Sequence, residues 1–401
     1  MFREHERIFL AGSSGEPSAI VADILGTPGA DITTSFVPGV NNLAERAFGA
    51  GTRVTGFFMQ PGLAAAQRAG SYRHLPLSYG AIVKWLNESP PYDTCVVQVT
   101  PDRNGMCSLG PAAEFMPLVM RRARRIVAVV NPNMPRLPNA PELRLADCAV
   151  TIEASTPVVQ YDTGAPDEAA NKIAAHVASL IDDGAVLQLG LGKVPSAILA
   201  ELSSRRGLKI HSGMISDGIM GLAEAGALDP AWRHTTTVVL GTATLYDWVA
   251  DRTDIQVAGC EVTHNPGILA GIDGLVAINS ALEVDLFGQC NLEMANGRAV
   301  SGAGGAPDFA RAGRLSKGGL SIIALPATFG GGKGSRIKPV LGGDALVSLP
   351  RTDVDIVVTE EGVADLRGRS VHERAEVLIG IAAPGLRPGL TDAWREITAR
   401  L

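Results

Sequence analysis

Short apolar runs alternate along the chain with glycine-rich turns and amphipathic stretches, the pattern of strand, turn and helix repeated many times. One such unit runs from Ile8 through Gly12 and Gly15 to Leu25, and another runs from Val186 through Gly190 and Gly192 to Leu202. Both carry the order Pro, Ser, Ala, Ile, aliphatic, Ala, acid, aliphatic, starting at Pro17 and again at Pro195, 178 residues further on. The same offset sets Asp31 to Ser35 opposite Lys209 to Gly213. Two similar open α/β halves related by internal duplication are therefore expected. In each half the proline is read as the first helical residue, where its missing N–H costs nothing. The helix start presents N–H groups that favour an anion.

A polar, turn-rich stretch from Glu153 to Asp167 separates the halves, so the boundary is set at 165, giving units 1–165 and 166–401. Beyond it Ile173, Ala174, Val177, Ala178 and Ile181 recur with helical spacing. Strands are expected at Thr236 to Leu240, Val276 to Ile278, Ser321 to Leu325 and Ile356 to Thr359. An open α/β sheet binds ligands beyond the carboxyl ends of its strands. The segments Gly190 to Pro195, His211 to Gly218, Ser301 to Gly305 and Glu360 to Gly362 would all lie there, on one cleft between the halves.

A chain of 401 residues, 46% hydrophobic and 19% charged, has enough apolar sequence for two cores. The net charge of −6 argues against nucleic acid or an anionic membrane as a partner. Arg121, Arg122, Arg124 and Arg125 read as the solvated end of a helix before a strand from Ile126 to Val130. Five cysteines with no Cys-x-x-Cys spacing read as reduced, mostly buried thiols of a cytoplasmic protein. The first seven residues are too charged for a signal peptide, and no apolar run reaches membrane-span length.

Several chemistries find no motif. The turn at Gly190 lacks the third glycine of a dinucleotide fingerprint, so neither a nicotinamide nor a flavin is expected. The run Gly330 to Ser335 resembles a phosphate loop but has Ala327 at the first glycine position and Gly334 after Lys333 in place of Ser or Thr. None of the seven histidines has zinc-ligand spacing, and Ser212 lacks the preceding glycine of a serine elbow.

Six blocks occur in a telling order: Val99 to Gly110, Val130 to Arg136, Gly190 to Pro195, Ser301 to Gly305, Ser316 to Gly319 and Thr359 to Gly368. In order and spacing they resemble the acetyl-CoA hydrolase/transferase family, on the side of its 4-hydroxybutyrate CoA-transferase branch. The resemblance implies a CoA-transferase-like fold, acyl-CoA as substrate, a small acid as acceptor, no metal and a homodimer. It further implies that Gly190, Leu191, Gly192, Lys193 and Val194 hold CoA, that Gly304 gives its N–H to the thioester oxygen, and that Lys317, Lys333 and Arg336 contact phosphate.

In that family a glutamate carboxylate attacks the acyl-CoA to form an anhydride, which CoA thiolate converts to an enzyme-bound thioester. The segment His211 to Gly218 matches the nucleophile block, but Gly213 stands where the glutamate belongs. Other departures are Glu361 for an aromatic or histidine, Val129 for an acid, and the absence of the helix that precedes the first strand. His211, two residues before Gly213, is a candidate base and otherwise a packed histidine. Phe57, Phe58, Met59, Tyr72 and His74 are candidates for the pocket lining.

Three readings follow from the missing carboxylate. The first is hydrolysis or direct acyl transfer without a glutamyl-CoA intermediate, with two or three waters in the vacated space, at ~30 Å³ each. The second is an ordinary CoA-transferase whose carboxylate has moved to Glu361. The third is a silent acyl-CoA-binding subunit. On the sequence alone, Gly213→Glu should be enough to restore CoA transfer.

Overall fold

In the computed structural model, which describes residues 1–400, two large sheets repeat one topology. The first has Arg7–Leu10 near its centre. Asp31–Thr34, Arg53–Gly56 and Tyr72–His74 follow on one side, and Thr94–Val99, Arg125–Val130 and Val150–Glu153 on the other, all parallel. The second has Val186–Leu189 in the same place. Lys209–Ile215, His234–Val239 and Ile255–Val257 lie on one side, and Leu275–Asn279, Leu320–Ala324 and Ile356–Thr359 on the other. Gly362–Asp365 adds an antiparallel edge. Identical strand order in both sheets is the structural form of the repeated sequence.

Strands such as Thr94–Val99 are buried at every position, which is why they read as continuous apolar runs rather than alternating ones. The helix after the second domain's entry, Glu168–Ala178, is capped by the Asp167 side chain on the Ala170 N–H. It turns Ile173, Ala174 and Val177 into the second core, against Leu187 and Ile210. A third core gathers Val357, Leu378 and Trp394 beneath the C-terminal helices Val371–Gly380 and Arg387–Thr398. Between Glu153 and Glu168 no strand or helix occurs.

The two copies differ at the turn that made the repeat visible. In the second half the helix is Lys193–Glu201, so Pro195 is its third residue rather than its first. In the first half the helix shrinks to Val21–Leu25, and Ser13–Gly15 form a 3₁₀ turn. Amide groups of that turn are already used, Gly12 N–H by Ser35 Oγ at 3.1 Å and Ser13 N–H by Asn41 Oδ1 at 2.8 Å. The anion-binding geometry expected in both halves is therefore absent from the first.

The halves meet through main chain. Ala113 N–H donates to Thr237 O, Val239 N–H to Pro111 O and Cys260 N–H to Glu114 O, at 2.9, 2.7 and 2.7 Å. This seam joins the first half to the end of His234–Val239. All five cysteines are free; Cys148 is half-buried and the others are buried. Among the described residues no helix is long and apolar enough to cross a membrane.

Candidate active site

The carboxyl ends of Val186–Leu189, Lys209–Ile215 and Leu275–Asn279 open onto a cleft of about 300 Å³ that the first half closes with Phe58 and Tyr79. Gly190, Gly213 and the loop Ser301 to Gly305 all line it, so the structure brings three sequence-separated blocks together. Of the aromatic lining candidates, Phe58 faces the cleft; Phe57 and Tyr72 are in the core, where the Tyr72 hydroxyl donates to Phe58 O.

The loop Ser301 to Gly305 enters the helix Ala306–Leu315, whose start carries the positive end of the helix dipole; its second residue, Pro307, has no N–H, so Ala306 and Asp308 supply the first helical amides. Gly304 has φ +58°, a conformation that side chains disfavour. Several contacts with the first half fix this loop. Met59 N–H donates to Ser301 O and Tyr79 N–H to Gly304 O, both at 3.1 Å. Asp308 accepts from Ser78 Oγ at 2.8 Å and from Gly80 N–H at 3.0 Å. Gly302 lies so near the Phe57 carbonyl that a Cβ there would sit 2.3 Å from its oxygen. The backbone at Gly304 is thus held in place by both halves.

Gly213 lies in ordinary strand conformation, and the space beside it is not empty. A Cβ on Gly213 would meet the imidazole of His264, 3.2 Å from Nε2 and 3.3 Å from Cε1, with Phe309 behind at 3.8 Å. A Cβ on Gly305 would be 2.4 Å from the same Nε2. His264 therefore sits between two glycines, and its ring takes up part of the space beside Gly213 that the sequence reading had filled with water. Tyr79 and Phe309 pack on the ring with centroids 4.9 and 4.8 Å away. Nδ1 lies 2.9 Å from Thr263 Oγ1. Burial, reinforced by His211, pushes the pKa of His264 down to about 3, so the ring is uncharged near neutrality.

Sequence reasoning missed His264. It follows a short helix, Cys260–Thr263, outside the six blocks, and only the tertiary contact distinguishes it from a packed histidine. His211, which was considered, has its Nε2 3.1 Å from Thr263 O, a carbonyl that can only accept; Nε2 therefore carries the proton. It is buried, its pKa lowered by desolvation, and it anchors the helix end that presents His264.

The carboxylate nominated to replace the missing one is elsewhere. Glu361 caps the exposed hairpin between Ile356–Thr359 and Gly362–Asp365 and pairs with Arg387 at 3.6 Å; it does not line the cleft. Lys317 is at the opposite end of the sheet, in the turn before Leu320–Ala324, where Gly274 N–H binds its carbonyl. Gly319 in that turn is pressed against Gly313 O and Leu275 O, which gives the block a packing role. Arg336 donates to Leu282 O at 2.9 Å and Thr328 O at 3.3 Å, clamping backbone. Lys193 and Lys333 remain exposed, the first at the start of Lys193–Glu201 and the second at a hairpin tip after three glycines with positive φ. If CoA phosphates reach this hairpin, Lys333→Ala should raise KM for acyl-CoA about threefold with kcat unchanged, as expected for one exposed charge. Lys317→Ala should leave both constants alone, and steady-state kinetics on the two variants check this.

Among the described residues no group of three His, Cys, Asp or Glu side chains is arranged to hold a metal ion. The family model for the acetyl-CoA hydrolase/transferase C-terminal domain matches residues 241–394. Over 404 aligned residues the chain is 34% identical to 4-hydroxybutyrate coenzyme A transferase of Clostridium kluyveri, covering 98% of this chain and 94% of that protein. The chain belongs to the acetyl-CoA hydrolase/transferase family. Its fold superposes on RipA of Yersinia pestis with a TM-score of 0.89 at 28% identity, covering 99% of this chain and 95% of that one. For a 4-hydroxybutyrate CoA-transferase of Porphyromonas gingivalis the TM-score is 0.78 at 29% identity, with 99% and 94% covered. The enzymes of this family act on acyl-CoA, and the two-sheet architecture of this chain is the CoA-transferase fold.

Proposed function

We propose that this protein is an acyl-CoA hydrolase: it binds an acyl-CoA with the thioester in the cleft at Gly213 and Gly304, and water attacks the acyl carbon directly. The observation that carries this reading is the composition of the cleft wall. No Asp or Glu is among its lining residues to form the glutamyl anhydride and thioester of a CoA-transferase. Losing a covalent nucleophile costs up to ~10⁶ in rate, or roughly 8 kcal/mol of barrier, which weighs against the double-displacement route. The electrostatic half of the apparatus is independent of that carboxylate. Amide donors at the start of Ala306–Leu315 stabilise a developing oxyanion whichever nucleophile arrives.

The turn Gly190, Leu191 and Gly192 leads into Lys193–Glu201 with a glycine N-cap at φ 119°, and its N–H groups suit the CoA pyrophosphate. The Gly190 position has nothing within 4 Å of a notional Cβ, leaving room for the pantetheine arm. The protein would then act in the cytoplasm as a homodimer with no nucleic-acid or membrane partner.

Incubation with short acyl-CoAs should release free CoA without added acid. In ¹⁸O-labelled water the label should appear in the product carboxylate. Borohydride after acyl-CoA treatment should yield no reduced peptide, and intact mass should show no enzyme–CoA adduct. Transfer of CoA to acetate through a detectable adduct would sink the hydrolytic reading. Saturable CoA binding with no turnover of any thioester would establish a silent binding subunit instead.

A further inference from the structure

We propose that His264 is the catalytic base of this thioesterase, taking a proton from the attacking water at Nε2 and returning it to the departing sulfur. This rests on the hydrolytic reading above and names the group that makes it work. The ring is the polar side chain nearest the space a glutamate at 213 would fill, and it lines the cleft through an otherwise buried position. Gly305 needs to be glycine for it to fit, because a Cβ there would lie 2.4 Å from Nε2, and a Cβ on Gly213 would be in tight contact with the same atom at 3.2 Å. The imidazole thus lies against the position where a carboxylate at 213 would begin.

The ring is oriented by its surroundings. Thr263 Oγ1 is 2.9 Å from Nδ1 and 3.5 Å from Gly259 O, a carbonyl that can only accept. With the hydroxyl proton directed to that carbonyl, Nδ1–H donates to Thr263 and Nε2 keeps its lone pair towards the cleft. Tyr79 and Phe309 fix the ring plane. His211, from the strand below, holds Thr263 O and so the end of the helix that carries the ring.

Water loses a proton to Nε2 as its oxygen bonds to the acyl carbon, and the carbonyl oxygen becomes an oxyanion opposite the Gly304 N–H. The tetrahedral intermediate collapses with C–S cleavage, and the proton on Nε2 passes to the CoA thiolate. The products are a carboxylic acid and CoA thiol, with the imidazole back in its starting form. No metal, oxidant or second cofactor enters the balance.

The test uses the full chain with a short acyl-CoA that the wild type hydrolyses. His264→Gln should lower kcat about 10²-fold, the low end for a general base of low basicity, with CoA affinity by titration within about twofold. His264→Ala should leave a hole between Gly213 and Gly305, and added imidazole should restore hydrolysis in a saturable way, which a packing role would not produce. Thr263→Val keeps the ring but removes its Nδ1 partner and should cost about tenfold. Wild-type hydrolysis with His264→Gln within threefold of it would overturn the role of His264 while leaving the hydrolytic reading intact. An acyl group trapped on His264 would overturn the base role in favour of nucleophilic attack. A wild type that hydrolyses nothing would overturn both. Should the His264 variants fail to fold, an unchanged rate in Thr263→Val overturns the proposal, and a tenfold loss with intact CoA binding supports it.

Discussion

A Gly213→Glu/His264→Asn double variant is expected to form a covalent enzyme–CoA species, and a Gly213→Glu single variant is not. The single change looked sufficient from the sequence, because the other family blocks, with Gly304 among them, are present around Gly213. The structure blocks it. The first carbon of the new side chain would meet His264 at 3.2 to 3.3 Å, tighter than ordinary contact, and the carboxylate would need more room still. The ring is held against such a shift by Gly305 on one flank, by Tyr79 and Phe309 packed on it, and by Thr263 at Nδ1. Overpacking of this kind costs about 1–3 kcal/mol, so the single variant should also melt lower than wild type. The smaller asparagine removes the ring and opens the path for the carboxylate towards the Gly304 N–H. Transfer should be slow, since even a ~1 Å misplacement costs about 10²-fold, but intact mass needs only accumulation of the adduct. The measurement is adduct mass and acetate-dependent acyl-CoA loss in wild type, both single variants and the double. Equal adduct in Gly213→Glu and the double variant would show that His264 does not gate the site. A folded double variant that binds CoA but never forms an adduct would show that the site has diverged beyond these two residues.

The second large effect is on stability against pH. Glu114 is fully buried at the seam between the halves, with its backbone in the left-handed region at φ +41°. Burial raises its pKa to about 7, against the lowering by the Ser35 hydroxyl, 2.5 Å from Oε2, and the Gly12 N–H. Oε1 has no hydrogen-bond partner, which leaves the ionised form poorly stabilised in this buried site. The unfolded chain loses this proton near the ordinary value of 4.5 and the folded chain near 7. Between those values the folded state holds more protons, so stability falls as pH rises from about 4.5 to 7, by roughly 3 kcal/mol at most. Glu114→Gln has nearly the same shape as the protonated acid and no charge to bury. The variant should match wild type at pH 5 and exceed it at pH 8, by a few degrees in melting temperature. Parallel melting curves for the two proteins across pH 5 to 8 would show that Glu114 does not titrate in this window. The residue is also tied to the cleft, because its carbonyl accepts the Cys260 N–H at the start of the helix leading to His264.

Much of the architecture is written locally. Buried parallel strands need apolar residues on both faces, so they stand out as short runs; four of the expected second-half strands agree with the observed ones to within two residues at either end. The repeat at Pro17 and Pro195 showed two halves because both sheets impose the same strand, turn and helix on their central unit. Even so, the first-half turn diverged: side chains distant in sequence, Ser35 and Asn41, took over its amide groups. The block at Ser316 was conspicuous for its glycines, which the fold uses to press a turn against Gly313 and Leu275 rather than to hold a ligand. A glycine needed for packing and a glycine needed for a phosphate look the same in a sequence.

By itself, the sequence determined the family, the α/β class and the absence of a carboxylate at 213, because each depends on residue identity or on short-range periodicity. Which group lies beside Gly213 was decided only by the tertiary structure. Nothing local ties His264 to Gly213 and Gly305; the three meet because parallel strands carry Gly213 and the helix start at Gly305 to the same end of the sheet, where a short helix from a third segment delivers the ring. The same packing moved Glu361 and Lys317 away from the chemistry their motifs suggested. Side-chain roles in this cleft depend on which surfaces face one another, a property of the folded chain that residue order does not encode locally.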